Sequence, residues 1–263
     1  MNKYSISLLL DNDVIKKIIK IFEKKDIELR LVGGSVRNAI LKRSSRDFDF
    51  AANKHPDKII NVLKENNINY CSYAKKYGSI IANINDKKFE ITSLRQDINQ
   101  QGRHTEVLFT HDWEIDANRR DFTINAIYLT SEGKLIDYFD GLKDIKENRV
   151  KFIGNIEKRI SEDYLRIFRY YRFLGIFPKP ILIDSYEKIL NSNFLNSFKN
   201  LSNDSIRVEI LKMLKNPYPL NSFCKIHNLK EKNYWLKMTN KHFEQTKYNL
   251  GLKQCLNKVD KLF

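Results

Sequence analysis

The sequence has few of the residues that build covalent cross-links or metal–sulfur sites. Its 263 residues include three cysteines, Cys71, Cys224 and Cys255, and no CxxC pair. An odd and widely spaced set excludes a disulfide framework and a zinc–thiolate cluster, and it fits a reducing compartment. The five histidines show no metal-ligand spacing either. Any metal ion must therefore be held by oxygen ligands.

Long apolar runs and flexible linkers are also missing. No stretch approaches the roughly 18 apolar residues of a membrane span. The apolar patch near the N-terminus, SISLLL, is too short for a signal peptide. No Gly/Pro-rich segment divides the chain, which has nine glycines and five prolines. We therefore expect a cytoplasmic protein with no membrane contact, whose domains are marked by a change of pattern.

Positive charge dominates what the sequence does contain. Lys and Arg number 47 against 32 Asp and Glu, a formal net charge of +15. Residues 176–263 alone hold 15 basic and 7 acidic side chains, which is +8 of that excess. Such an excess favours a polyanionic partner, because neutralised phosphates release counterions. A lysine-rich composition caused by coding bias is the alternative, so charge alone leaves nucleic-acid binding as an even choice.

Two periodicities divide the chain. Up to about residue 155, alternating segments such as ELRLV, RDFDFA and KKFEITSL predict strands, and residues 13–23 have the spacing of a helix. Beyond that point helical spacing takes over, as in EDYLRIFRYYRFL and DSIRVEILKMLKN. The sequence therefore predicts an N-terminal domain of helices and strands followed by an all-helical region.

Two aspartates stand one residue apart in the predicted strand of SSRDFDFAAN. On a strand, Asp47 and Asp49 project from one face while Phe48 and Phe50 enter the core. Two such carboxylates repel each other unless a cation lies between them, and Mg²⁺ prefers oxygen ligands. An isolated DxD is more often a solvated strand face.

The segment before these aspartates, LVGGSVRNAI, reads as a strand, a Gly-Gly turn and the start of a helix. This geometry points backbone N–H groups at an anion, and Gly33 and Gly34 leave room for a phosphate. A plain packing turn is an equal alternative for the motif alone. Followed 13 residues later by DxD, the motif predicts a phosphate cradle facing a metal site.

Glu90 in KKFEITSLR is a candidate third carboxylate, because a neighbouring strand could bring it to the same pocket. Three carboxylates permit two metal ions about 4 Å apart, one at the attacking hydroxyl and one at the leaving pyrophosphate. Periodicity alone makes Glu90 an ordinary exposed strand residue.

Taken together, these segments resemble the class II tRNA nucleotidyltransferases and bacterial poly(A) polymerases of the DNA polymerase β-like nucleotidyltransferase superfamily. The resemblance covers roughly residues 28–175. Its five ordered motifs are LVGGSVRNAIL with RDFDFA, then KFEITSLR, RRDFTINAIY, DYFDGLKDIKENRVKFIG and ISEDYLRIFRYYRF. Five motifs in order, at plausible spacing, form a specific signal.

The resemblance implies roles for the residues of the first motifs. Asp47 and Asp49 would bind two catalytic Mg²⁺ ions, with Glu90 as the third acidic group. The nucleotide-binding residues would be Gly33, Gly34 and Arg37 at the triphosphate, and Arg120 and Asp121 near the ribose. Asn38 departs from the family, which more often has Asp there.

The last motif would select the base. Asp163 and Arg166 are three residues apart, which places them on one face of a helix. A carboxylate only accepts and a guanidinium only donates, so this pair matches the Watson–Crick edges of cytosine and adenine but not those of uracil and guanine. Arg169 and Arg172 resemble the phosphate-contacting positions of the family. An ordinary i,i+3 salt bridge is the usual interpretation of an isolated D-x-x-R.

The resemblance also implies an α+β fold, with a head that has a small mixed sheet flanked by helices, an all-helical neck and a shortened body. We assign residues 1–145 to the head, 146–215 to the neck and 216–263 to the body. Ser205, in LSNDSIRVEILKML, stands where the family typically has Arg. Fewer than 100 residues follow the last motif, so we expect most of the tail to be missing. The basic helices would then grip the tRNA acceptor end alone, or a homodimer would supply the surface.

The function implied is template-independent addition of CMP and AMP to tRNA 3′ ends from CTP and ATP. An A-adding or CC-adding specialist, a poly(A) polymerase and a non-catalytic RNA-binding protein of the same fold are the alternatives. Residues 95–118 resemble an intact flexible loop, which argues against the CC-adding specialist. The acidic trio argues against the pure binder, since such a protein gains nothing from carboxylates that face phosphate.

Overall fold

A computed structural model of the chain describes residues 3–45, 47–85, 87–101 and 104–226. The chain forms two compact units that divide between Asp163 and Tyr164. Every strand of the described residues lies in the first unit, and the described part of the second unit is helical, so the predicted α+β class is confirmed. The boundaries expected near residues 145 and 215 stay predictions. Residues 227–263 of the expected body lie outside the described residues.

A mixed seven-stranded sheet forms the centre of the first unit. Its strand order is β3-β4-β5-β2-β1-β8-β9, and β6 pairs with β7 in a separate hairpin. Strands β2 and β5 are parallel, and the other neighbours are antiparallel. The strands are β1 Leu29–Val32, β2 Phe48–Ala52, β3 Asn69–Cys71, β4 Ser79–Ile84, β5 Lys87–Ser93, β6 Arg95–Gln101, β7 His104–Phe109, β8 Ile127–Leu129 and β9 Leu135–Asp137.

Seven helices of the first unit accompany these strands, and four described helices form the second unit. The first set is α1 Lys3–Leu10, α2 Asp13–Glu23, α3 Gly34–Ile40, α4 Pro56–Glu65, α5 Trp113–Asn118, α6 Gly141–Lys146 and α7 Ile156–Glu162. The second set is α8 Leu165–Leu174, α9 Asp184–Asn200, α10 Asn203–Leu214 and α11 Pro219–Ile226. None of these helices is long and apolar enough to cross a membrane.

Helix α2 shows why the predicted helix forms where it does. The Asn12 side chain accepts hydrogen bonds from the backbone N–H groups of Val14 and Ile15, and so caps the first turn. Its five apolar side chains at helical spacing are buried. The helix predicted over residues 13–23 is therefore confirmed.

The alternation in β2 fixes which side chains face the site. Phe48 and Phe50 are 8% and 1% exposed, and both rings pack near the ring of Phe89 on β5, with centroid distances of 5.8 and 6.3 Å. Successive strand residues point to opposite faces, so Asp49 lies on the face away from these rings. Helix α4 packs against β4 and β5.

Close contact between helices defines the second unit. Helix α8 packs against α10 and α11, and its side chains Ile167, Phe168 and Leu174 are fully buried. Gly175 ends α8 where a Cβ atom would come within 2.3 Å of the Ser222 hydroxyl oxygen on α11. A glycine at this position therefore lets the two helices approach.

Candidate active site

The strand register brings two of the predicted carboxylates together. Asp49 on β2 and Glu90 on β5 are register partners in the parallel pair, so both project from the same face at adjacent positions. Asp47 is exposed and lies just before β2, which begins at Phe48, the register partner of Phe89 on β5. The strand predicted from RDFDFA is therefore shorter than expected, and Asp47 lies at its entrance rather than within it.

The Gly-Gly turn lies directly against Asp49. Gly33 has a φ of 73°, a conformation that side chains other than glycine rarely adopt. A Cβ atom on Gly33 would lie 3.6 Å from the Oδ2 atom of Asp49. The helix expected near Ser35 begins at Gly34, so α3 starts directly after the glycine that lies against the Asp49 carboxylate.

Electrostatic repulsion is built into this group of carboxylates. Burial, and next the charge of Glu90, raise the pKa of Asp49 from 3.8 to about 6, and Asp47 acts in the same direction. Arg120 and Arg37 act in the opposite direction without cancelling the effect. The Ser79 hydroxyl donates a hydrogen bond of 2.6 Å to Glu90, which orients that carboxylate.

The chemistry of these donors fits a hard divalent cation better than a soft one. All of the donors are carboxylate oxygens, and repulsion between them is relieved when a cation binds. Across the described ranges, no group of three or more His, Cys, Asp or Glu side chains is arranged to hold a metal ion on its own. A cation at Asp49 would therefore take further ligands from a substrate, as Mg²⁺ commonly does with phosphates.

Arg37 and Asp121 belong to one hydrogen-bond network. Arg37 is buried in α3 and donates through Nη1 to the Oδ1 atom of Asn125. The Nδ2 atom of Asn125 donates to Asp121 at 3.1 Å, and the backbone N–H of Phe122 donates to the same carboxylate oxygen at 2.9 Å. The network links the two predicted nucleotide-binding motifs, and sequence reasoning assigned no role to Asn125.

Arg120 is held by residues that sequence reasoning also missed. Its Nη2 atom donates to Asp116 at 2.9 Å, and its Nε atom donates to the hydroxyl oxygen of Tyr128 at 3.4 Å. Asp116 lies four residues before Arg120, a spacing that marks neighbours on a helix and was available in the sequence.

The structure corrects the predicted placement of Asp163 and Arg166 on one face of a helix. Asp163 has extended backbone angles and follows the last residue of α7, whereas Arg166 lies in the first turn of α8. The two residues therefore do not share one face of a continuous helix. Asp163 ends the first unit and Arg166 belongs to the second. Their joint contact with a base stays a prediction.

The remaining arginines of α8 have partners within the second unit. Arg172 forms an ion pair of 2.9 Å with Glu209 on α10, a residue only 2% exposed. The guanidinium carbons of Arg169 and Arg172 lie 5.9 and 4.3 Å from the ring centroid of Phe173. The predicted phosphate contacts of both arginines stay predictions, and Arg172 also joins two helices.

Residues 95–118 do not form the expected loop. They contain the β6–β7 hairpin, and α5 follows it. The Asp112 side chain accepts hydrogen bonds from Glu114 and Ile115 and caps α5. The segment around Ser205 is a capped helix, as considered from the sequence, with Ser202 as the capping residue.

The sequence matches a known family across most of this first unit. Residues 29–151 match the family described as the Poly A polymerase head domain. The chain is 39% identical over 202 residues to human CCA tRNA nucleotidyltransferase 1, mitochondrial, covering 76% of this chain and 46% of that protein. It is 31% identical over 236 residues to a CCA-adding enzyme of Staphylococcus aureus, covering 89% and 56%.

Residues 29–151 form a head domain of the Poly A polymerase family. Solved structures agree with this placement. The Bacillus stearothermophilus CCA-adding enzyme in complex with CTP has a TM-score of 0.70 at 27% identity, over 80% of this chain and 50% of that one. A tRNA nucleotidyltransferase complexed with a primer tRNA and an incoming ATP analog has a TM-score of 0.66 at 25% identity, over 81% and 60%.

The chain spans about half the length of the curated relatives that it matches. Some of those relatives are named as mitochondrial proteins. The cytoplasmic location expected from the sequence therefore stays a prediction.

Proposed function

We propose that the chain adds CMP and AMP to tRNA 3′ ends without a nucleic-acid template, using CTP and ATP and releasing pyrophosphate. One observation carries the proposal: Asp49 and Glu90 are register partners beside a Gly-Gly turn, in a member of the nucleotidyltransferase family. The relatives named as CCA-adding enzymes support the choice of product.

The reaction joins two polyanions, and the residues around Asp49 divide that task. The 3′ oxygen of the RNA forms a bond to the α-phosphorus, the bond from that phosphorus to the pyrophosphate oxygen breaks, and the hydroxyl proton passes to water. Gly33 and Gly34 leave backbone space for the triphosphate, and Arg37 and Arg120 bring positive charge to the same pocket. Positioning and charge neutralisation account for most of the catalysis in phosphoryl transfer.

Asp47 and Asp49 would hold Mg²⁺, with Glu90 beside them, in the two-metal arrangement expected from the family resemblance. Bound there, the ions would neutralise charge that develops on the attacking and leaving oxygens. Oxygen-only donors and the raised pKa of Asp49 support this assignment. Asp121, tied to Arg37 through Asn125, would orient the ribose.

Base selection would depend on Asp163 and Arg166, which have the donor and acceptor pattern for cytosine and adenine. A mismatched base would leave buried polar groups unpaired, at a cost of roughly 1 to 3 kcal/mol per group. Arg169 and Arg172 would contribute phosphate contacts. The basic residues after residue 176 would contact the acceptor end, and a homodimer would enlarge that surface.

The deciding assay uses three tRNA substrates that end at the discriminator base, at C and at CC. Purified protein is incubated with each tRNA and Mg²⁺, with CTP and ATP supplied singly and together, and products are resolved on sequencing gels. A CCA-adding enzyme extends all three when both nucleotides are present. A CC-adding specialist stops at CC, an A-adding specialist extends only the CC substrate, a poly(A) polymerase adds long A tails, and a binder extends none.

Asp47→Ala tests the metal assignment. We expect extension to fall by at least 1,000-fold while tRNA binding, measured by fluorescence anisotropy, changes little, because catalysis depends on charge at the reacting phosphate. Asp11→Ala is the matched control, since Asp11 is exposed and forms an ion pair of 3.0 Å with exposed Lys16. Near-normal turnover by Asp47→Ala would refute the assignment.

A further inference from the structure

Asp116 is a fully buried carboxylate that accepts hydrogen bonds from several positively charged and neutral donors. It has 0% exposure, and its Oδ1 atom accepts from Nε of Arg119 at 2.8 Å. Its Oδ2 atom accepts from Nη2 of Arg120 at 2.9 Å and from the Tyr128 hydroxyl at 2.7 Å. The backbone N–H of Arg95 adds a longer contact of 3.4 Å. One buried side chain therefore fixes two consecutive arginines.

The backbone of the same two arginines is fixed from another direction. Arg159, on α7, donates through Nη2 to the carbonyl oxygen of Arg119 at 2.6 Å and to that of Arg120. The N-terminal end of α5 is capped separately by Asp112. Arg119 and Arg120 are thus held at their carbonyl groups by Arg159 and at their guanidinium groups by Asp116.

Arg120 still has capacity for a ligand. A guanidinium has five N–H donors. Asp116 and Tyr128 take two of them, and within the described residues no other side-chain hydrogen bond of Arg120 is present. The charge of Arg120 lowers the pKa of Asp49, against the larger effects of burial and Glu90. Tyr128 is the register partner of Val32, which is itself the register partner of Asp49, so Arg120 contacts a residue on the face of the sheet that carries Asp49. Across the described part of the chain, three of its N–H groups have no hydrogen-bond acceptor.

Free arginine side chains sample many rotamers, and ordering one on binding costs conformational entropy. A partner that holds the guanidinium before the ligand arrives removes much of that cost from binding. Tyr128 is fully buried beneath Arg120, with the guanidinium carbon 5.4 Å from its ring centroid. The guanidinium of Arg120 is therefore ordered before an anion binds.

We propose that Asp116 is a positioning residue that holds Arg120 in the conformation that binds the incoming nucleotide, with Tyr128 as its auxiliary. This role for Asp116 rests on the proposed function, since it requires Arg120 to bind the incoming nucleotide. Asp116 itself is too buried to touch substrate and acts only through the arginine.

The test compares Asp116→Asn with Asp112→Asn, the same chemical change on the same helix. Asp112 is exposed, and asparagine caps a helix as well as aspartate does. This control variant therefore preserves the cap of α5 and does not change the hydrogen bonds of Arg119 and Arg120. We measure the CTP dissociation constant by calorimetry without tRNA, and the KM values for CTP and tRNA in the extension assay. Asp116→Asn is expected to raise the CTP dissociation constant and the KM for CTP about 10-fold each, while the KM for tRNA stays within 2-fold of the wild-type value. Asp112→Asn is expected to match the wild type.

Tyr128→Phe is the second variant, because it removes one hydroxyl group and keeps a buried ring. We expect a rise of about 3-fold in the CTP constants, and the double variant with Asp116→Asn should be no worse than Asp116→Asn alone, since both changes release the same arginine. If Asp116→Asn does not fold, the CTP dissociation constant and the KM for CTP of Tyr128→Phe test the proposal instead.

Several results would overturn the proposal. Unchanged CTP binding in Asp116→Asn, or in Tyr128→Phe where only that variant folds, would show that the contacts are structural alone. Equal rises in the KM for CTP and tRNA would show general damage. A wild type that binds CTP but extends no tRNA would refute the proposed function and leave the positioning test intact, whereas a wild type that binds no nucleotide would refute both.

Discussion

Asp49 carries its negative charge in surroundings that oppose it. Burial and the neighbouring Glu90 raise its pKa to about 6, so at neutral pH the folded protein holds an ion that would be more stable in water. Arg37 and Arg120 relieve part of this strain. A site that collects negative charge in this way is less stable by itself than with a bound cation, as expected where function rather than stability selects a residue.

The raised pKa gives a pH dependence with a definite sign. A carboxyl group whose pKa rises on folding favours the folded state fully below its unfolded value of 3.8, and that contribution is lost as pH rises through about 6. A pKa of about 6 in place of 3.8 corresponds to about 3 kcal/mol of folding free energy, and partial exposure of Asp49 reduces the expected effect to about 1 to 2 kcal/mol.

Asp49→Asn should therefore be more stable than the wild type at pH 8 by about 1 to 2 kcal/mol and equal to it near pH 4, in buffer without divalent ions. Urea unfolding at pH 4, 6 and 8 measures the difference, with Asp11→Asn as an exposed control whose effect should not follow this profile. The same variant should lose extension activity. A stability gain that is identical at pH 4 and pH 8 would show that charge is not its source.

At the scale of elements, Arg172 and Glu209 join α8 to α10. Glu209 is almost completely buried and pairs with Arg172 at 2.9 Å and with Lys212 at 3.2 Å. Removing one partner of a buried pair leaves an uncompensated charge, which commonly costs about 3 to 5 kcal/mol.

Arg172→Met should destabilise the protein by about 3 kcal/mol, whereas Lys212→Met should cost less than about 1 kcal/mol because the Lys212 side chain is about half exposed. The double variant Arg172→Met with Glu209→Met should recover most of the loss, since no buried charge remains. Chemical denaturation monitored by circular dichroism gives all three values. If Arg172→Met unfolds like the wild type and weakens only RNA extension, Arg172 serves phosphate binding and not the helix contact.

Local patterns in the sequence predicted the elements that depend on local rules. Strict alternation identified β2 and β5, and the Gly-Gly pair identified the turn before α3. The β6–β7 hairpin was missed because RQDINQQGRHTE is polar on both faces and lacks alternation. Asp163 was placed on a helix because spacing does not reveal where a helix begins, and α8 starts two residues later.

Nonlocal arrangement limited the prediction of the site. Glu90 was proposed as a third carboxylate, but its position beside Asp49 requires β2 and β5 to be parallel neighbours, which is a property of strand order. Asp116 and Arg120 have an i,i+4 spacing that the sequence shows, yet the burial of Asp116 depends on packing around Tyr128. Sequence gives the chemistry of side chains, and topology decides which of them meet.

For the whole molecule, the net charge of +15 is the property most relevant to an RNA partner. Binding to single-stranded or duplex RNA should release counterions, so affinity should fall linearly on a logarithmic plot against salt concentration. For roughly five phosphate contacts, affinity should fall about 100- to 500-fold between 50 and 200 mM salt. Fluorescence anisotropy with labelled tRNA measures this slope. CTP binding serves as the internal control, because a single triphosphate should give a much smaller slope. A tRNA affinity independent of salt would show that the excess charge does not face the RNA, and the basic composition would then have no role in recognition.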